Sequence, residues 1–142
     1  MPGSYSHICL HIVYCTKNRQ RWLKGQAGEE MHSYLAGIIN HNGSTALKVG
    51  GIDDHVHILC LLPKDTSLGE FIAKVKANSS KWFRHKHNEH FQWQDGYGAF
   101  SVSKSLIPKV SDYIANQAGH HLHTSSLAEF DALLKKHEIQ IT

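Results

Sequence analysis

The chain has 142 residues and a mass of 16.0 kDa, room for one domain around one core and too little for separate cofactor and substrate lobes. Residues 1–142 therefore read as a single domain. With 41% apolar and 19% charged residues it is not a disordered tail, and its longest unbroken apolar run, residues 58–62, excludes a spanning helix, which needs ~20. Fifteen basic against twelve acidic side chains give +3, a balance that permits a nucleic-acid partner without requiring one.

The first residues carry no charged region followed by an apolar one, so no signal peptide is expected. Cys9, Cys15 and Cys60 show no Cys-x-x-Cys spacing. An odd count without a signal favours free thiols in a cytoplasmic setting, and a Cys/His structural zinc site is not expected. Thirteen histidines suggest metal, phosphate or proton chemistry, although a surface habit of the lineage would give the same count.

In chain order, residues 5–15 are β-branched and aromatic, with Ile8, Leu10 and Ile12 on one face, and predict a strand. Met31, Leu35, Ile38 and Ile39 recur at helical spacing within 28–41, and Gly43 suits the stop. Residues 47–52 and 56–62 predict two strands joined by a tight reversal at Asp53-Asp54, hence an antiparallel hairpin. Ser67, with Glu70 three residues on, is a helix N-cap signal. The helix that follows has Leu68, Phe71, Ile72, Val75, Ser79 and Trp82 as its apolar stripe. Residues 88–98 form a polar-aromatic loop and 100–102 a short strand. Pro108 fits the first turn of a helix running through Tyr113 to about 120, and 126–137 predict a last amphipathic helix. The order β-α-β-β-α-β with appended C-terminal helices is that of a ferredoxin-like α+β fold, an antiparallel sheet with helices on one face and the other open to a ligand or a second subunit.

Four features could carry chemistry. His55 and His57, at i and i+2 on a strand, point to one face while Val56 and Ile58 point to the other. About one His-x-His pair is expected by chance, and the chain holds three, the others being His85/His87 and His121/His123. Context separates them, because only His55 and His57 lie in a strongly apolar strand, where burial is costly without a partner. They are either ligands of a divalent metal or core histidines satisfied by carbonyls. Tyr113 and Gln117, at i and i+4, share a helix face. Chance gives roughly 0.2 such pairs, and the alternative is an ordinary amphipathic helix. Lys74, Lys81 and Arg84 form a basic stripe that suits a phosphate backbone or is a solvated face. Phe91, Trp93 and Tyr97 could stack bases or plug the sheet edge.

Taken together, these residues resemble one family. Asp54-His-Val-His-Ile-Leu59 is similar to the metal strand of HUH nucleases, and Tyr113-Ile-Ala-Asn-Gln117 to the catalytic helix of their single-tyrosine branch. That branch holds the transposases of the smallest bacterial insertion sequences and their domesticated, repeat-associated relatives. His11-Ile-Val-Tyr-Cys-Thr-Lys17, residues 76–82 and residues 93–103 extend the similarity over nearly the whole chain. The resemblance implies His55, His57 and Gln117 as metal ligands, Mg²⁺ or Mn²⁺ as the ion, and Tyr113 as the nucleophile. It further implies a homodimer acting on single-stranded DNA beside a hairpin, through a 5′-phosphotyrosine. In the His120-His121 pair one turn beyond Gln117, His120 falls on the Tyr113/Gln117 stripe and could compete as a ligand or proton carrier. The rival expectations are a domesticated nickase of repeat hairpins, using the same residues, and a non-catalytic hairpin-binding protein. A replication initiator would need more chain than this.

Overall fold

A computed structural model describes residues 3–120 and 125–139, with His120 described by its backbone. Four strands, β1 (Cys9–Cys15), β2 (Thr45–Ile52), β3 (His55–Leu61) and β4 (Gly98–Ser101), form one sheet in the spatial order β2-β3-β1-β4. Every neighbouring pair is antiparallel. Helix α1 (Gly25–His41) follows β1, and α2 (Leu68–Lys86) follows β3. Each helix thus crosses over a strand inserted between its two flanking strands, which is the expected ferredoxin-like topology.

Strand alternation explains the layers. Leu10, Ile12 and Tyr14 of β1 and Val56, Ile58 and Cys60 of β3 face α1 and α2, which contribute Met31, Leu35, Ile39, Phe71, Ile72, Val75 and Phe83 to the same core. The strand begins at Cys9 rather than Tyr5. Ile8 is exposed, and Tyr14 takes the third place expected for it. Its partner β3 ends at Leu61, two residues before Pro63, which has no N–H for a further rung. In α2, Phe83 rather than Trp82 ends the buried stripe, and Trp82 stacks on Tyr34 of α1 with ring centres 4.4 Å apart. The aromatic loop plugs the core: Phe91 and Trp93 are buried, and the Trp93 indole N–H donates to Ser79 Oγ at 2.9 Å.

The α2 start follows its sequence signal, since Ser67 Oγ accepts from the Glu70 N–H at 3.2 Å. Ser67→Ala should cost about 1 kcal/mol, read as a Tm lowered by about 2–4 °C.

The second sheet face carries Cys9, His11, His57 and Leu59. A face this apolar needs cover, and the C-terminal extension supplies it. Helices α3 (Ile107–Ala115), α4 (Gln117–His120) and α5 (Ser126–Lys136) follow β4. Ile114 packs on Cys9 and Leu59, with Ile107, Val110 and Tyr113 beside it. The face expected to be open is therefore occupied by the chain's own appended helices. At α5, His137 just past the helix end stacks on Phe100, ring centres 4.5 Å apart. The single expected helix 108–120 is split at Asn116, whose side-chain amide donates to the Asp112 carbonyl at 2.8 Å and competes with helix continuation.

Gly50, opposite His57 in the β2–β3 register, lets α3 approach the sheet. A Cβ there would lie 2.7 Å from the Ile114 carbonyl oxygen. Gly50→Ala must push α3 outward and should cost about 1–3 kcal/mol in urea unfolding. Among the described residues no helix is long and apolar enough to cross a membrane.

Candidate metal and tyrosine site

The site is built on the second face of β3. His55 and His57 project to it together, as the strand period requires, and both are buried. Their Nε2 atoms converge on one oxygen, Glu129 Oε1 of α5, at 3.2 Å from His55 and 2.9 Å from His57. Glu129 is itself buried, and one ligand atom from each of His55, His57 and Glu129 lies within 4.8 Å of the others. Gln117 places its amide oxygen 3.1 Å from His55 Nε2 and is buried. From α3, Tyr113 donates its hydroxyl proton to Glu129 Oε2. Its ring meets His57 edge-on, with centres 5.7 Å apart.

A further ring of groups holds these in place. Asp54 Oδ1 accepts from His55 Nδ1 at 2.8 Å and is bonded in turn by Ser126 Oγ at 3.1 Å. His57 Nδ1 meets His11 Nε2 at 2.7 Å, and the two rings are stacked.

The electrostatics follow from burial and charge pairing. Burial raises the Glu129 carboxyl, but the bonds to His55 and His57 outweigh it and hold it well below the usual carboxylate range. Burial disfavours the His55 imidazolium, yet Asp54 and Glu129 together raise its pKa to about 9. Burial and then the neighbouring His57 charge push His11 down to about 3. Burial, then the bond to Glu129 and its charge, raise the Tyr113 phenol above its ordinary range. Without a cation, the Tyr113 phenol is thus protonated. Two imidazole nitrogens and a carboxylate oxygen, buried and convergent, are a donor set suited to a divalent ion, with the Gln117 amide oxygen adjacent.

Two cavities flank Glu129. One, of about 310 Å³, is lined by His55, Arg19, Tyr97 and Ser126. The other, of about 650 Å³, is lined by Tyr113, His11, Lys109 and Lys136. Both openings carry a cationic side chain.

The structure thus brings His55, His57, Tyr113 and Gln117 together. It does not bring Lys74, Lys81 and Arg84 to them. These three are exposed on α2, on the other side of the sheet, and Arg84 Nη1 donates to the Phe91 carbonyl at 3.2 Å. His121 and His123 lie outside the described residues, as does the side chain of His120. Sequence reasoning missed Glu129 and gave Asp54 and His11 no role beyond their place in the motifs. Glu129 had a signal: it stands four residues before Leu133, on the apolar side of an amphipathic helix, where an acid needs a partner.

Residues 4–117 match the family model described as "Transposase IS200 like". The chain is 23% identical over 122 residues to the ISDra2 transposase TnpA of Deinococcus radiodurans, covering 81% of this chain and 87% of that one. It is 27% identical over 116 residues to the transposase of insertion sequence IS200 of Salmonella typhimurium, covering 75% and 74%. Among solved structures, a candidate transposase from Deinococcus radiodurans R1 superposes with a TM-score of 0.67 at 20% identity, covering 82% of this chain and 95% of that one. A REP-associated tyrosine transposase bound to a REP hairpin gives 0.62 at 15% identity, covering 85% and 73%. These two likenesses speak for the fold, and the family match spans most of the sequence, with both histidines, the tyrosine and the glutamine inside it. The chain belongs to the IS200-like family of single-tyrosine HUH transposases.

Proposed function

We propose that the protein is a DNA transposase that cleaves and rejoins single-stranded DNA next to hairpins, with Tyr113 as nucleophile and His55 and His57 as ligands of Mg²⁺ or Mn²⁺. Gln117 and Glu129 are the further oxygen donors available to the ion. The observation that carries this reading is the hydrogen bond of the Tyr113 hydroxyl to the same carboxylate that both imidazoles face. A tyrosine oxygen held beside the point where both imidazoles converge is what a metal-assisted attack on a phosphate would need.

When bound, the ion neutralises phosphate charge and favours the phenolate form of a nearby tyrosine. The chain's own residues do the rest. Tyr113 Oη attacks the scissile phosphorus, so the Oη–P bond forms and the P–O3′ bond breaks. The phenolic proton leaves and the 3′-oxygen takes one up, giving a 5′-phosphotyrosine and a free 3′-OH. One phosphodiester has been exchanged for another, so attack by a new 3′-OH rejoins strands without ATP. Arg19, Lys109 and Lys136, at the two openings, are placed to hold the strand on either side.

Lys74, Lys81 and Arg84 remain proposed DNA contacts, to a hairpin stem on the helical face rather than to the cleaved strand. Replacing Lys74 and Lys81 with alanine should lower the slope of log K against log salt by about 1–2 for hairpin DNA. An unchanged slope assigns them to a solvated face. The homodimer implied by the family is part of the same proposal and is checked by light scattering.

The reading is tested by incubating the protein with labelled single-stranded hairpin DNA and Mg²⁺ or Mn²⁺, followed by a denaturing gel. A strand shifted by the mass of the protein is expected. Tight hairpin binding with neither adduct nor cleavage would favour the non-catalytic reading.

A further inference from the structure

A histidine that binds a cation through Nε2 must carry its remaining proton on Nδ1, and whatever faces that Nδ1 sets the ring's orientation. For His55 the acceptor is a carboxylate, Asp54, at 2.8 Å. For His57, no carboxylate among the described residues is hydrogen-bonded at Nδ1. The atom facing His57 Nδ1 is Nε2 of His11, at 2.7 Å.

His11 reaches this position from β1. It lies on the same sheet face as His57, one rung off it diagonally: Val13 is the direct partner of His57 and Leu59 that of His11. The His11 ring is buried at 4% exposure, and its centre lies 6.1 Å from that of Phe100 and 6.2 Å from that of Tyr113. Its Nε2 is turned to Nδ1 of His57, away from solvent. We infer that His11 is a positioning residue of the metal centre, which accepts the Nδ1 proton of His57 and so fixes that ring with Nε2 toward the ion. This rests on the metal-centre reading above and adds to it the group that orients one of its ligands.

The inference has a chemical consequence. A neutral acceptor makes His57 a less electron-rich ligand than His55, whose partner is an anion. A residue that accepts at the same point should replace His11, and one that fills the same space without accepting should not. Gln offers an oxygen near the place of the imidazole Nε2. Leu fills the space and accepts nothing.

The experiment is Mn²⁺ titration by electron paramagnetic resonance on the full chain, for the natural protein, His11→Leu, His11→Gln and His57→Ala. His11→Leu should weaken Mn²⁺ binding by about 10–100-fold, and His11→Gln should recover most of it. Equal binding by His11→Leu and the natural protein, with His57→Ala impaired, would overturn the role of His11 while leaving the metal centre intact. Absence of Mn²⁺ binding by the natural protein, or no effect of His57→Ala, would instead overturn the centre. A second readout needs no variant. In the Zn²⁺-loaded natural protein, ¹⁵N NMR should find His57 protonated at Nδ1 with that proton hydrogen-bonded. An exposed, exchanging Nδ1 proton would contradict the inference even if His11→Leu failed to fold.

Discussion

Tyr113→Phe should abolish the covalent DNA adduct, by about 10³-fold or more in the rate of strand cleavage, and leave hairpin affinity within a few-fold of the natural protein. The phenyl ring keeps the packing of Tyr113 against the Ile114 cluster and its edge contact with His57. What is lost is the oxygen that would bond phosphorus. Removing a nucleophile costs a factor of this order because binding and charge stabilisation survive without it. The hydroxyl also donates to buried Glu129, so the variant should lose about 1–2 kcal/mol of stability. Binding is read by fluorescence anisotropy and adduct by denaturing gel. An adduct persisting in the Phe variant would move the nucleophile elsewhere.

The second large effect is expected at His57. Its side chain is fully buried, paired with Glu129 on one nitrogen and with His11 on the other. His57→Ala removes one converging nitrogen, so Mn²⁺ affinity should fall by more than the about 10–100-fold typical of losing an outer partner. Cleavage should fall with it. The ion-free protein should suffer too, since Glu129 keeps its charge while losing one of the two imidazoles that offset it. Breaking such a buried pair costs about 3 kcal/mol or more. Glu129→Gln separates the two effects. It keeps the shape and removes the charge, so it should relieve the fold of a buried carboxylate while still weakening the ion. Calorimetric Mn²⁺ titration beside thermal unfolding reads both. If His57→Ala bound Mn²⁺ like the natural protein, the paired imidazoles would be core histidines and nothing more.

How far the sequence foretells this arrangement depends on the range of the signal. Local patterns served well. The Ser67–Glu70 spacing marked the start of α2, and the Asp53-Asp54 reversal stands between β2 and β3. The i, i+2 spacing put His55 and His57 on one face because a strand has no other option. The sequence predicts one continuous helix through Tyr113 and Gln117, and both residues reach the site although Asn116 interrupts it. The break was hidden because asparagine is tolerated within helices and caps them only when its amide finds a carbonyl.

Long-range contacts were less legible. Glu129 stands 72 residues from His57, and only the fold brings α5 under β3. Its one local clue was an acid on the apolar side of a helix. His11 was obscured because β1 is buried on both faces, so no alternation of apolar and polar residues marked its side chain as facing a site. The basic stripe lies exposed on α2, and that helix lies on the far side of the sheet from the imidazoles. Charge along one helix reports a face of that helix and not which side of the sheet the site occupies.

The most direct test of a tyrosine working beside a cation on paired imidazoles is mass spectrometry of the protein after reaction with hairpin DNA and Mn²⁺, nuclease trimming and proteolysis. The account predicts a nucleotide mass on the peptide containing Tyr113, with fragment ions placing it on that residue, and no such mass when the ion is chelated. Strand cleavage that leaves Tyr113 unmodified, or an adduct formed equally well in chelator, would contradict it.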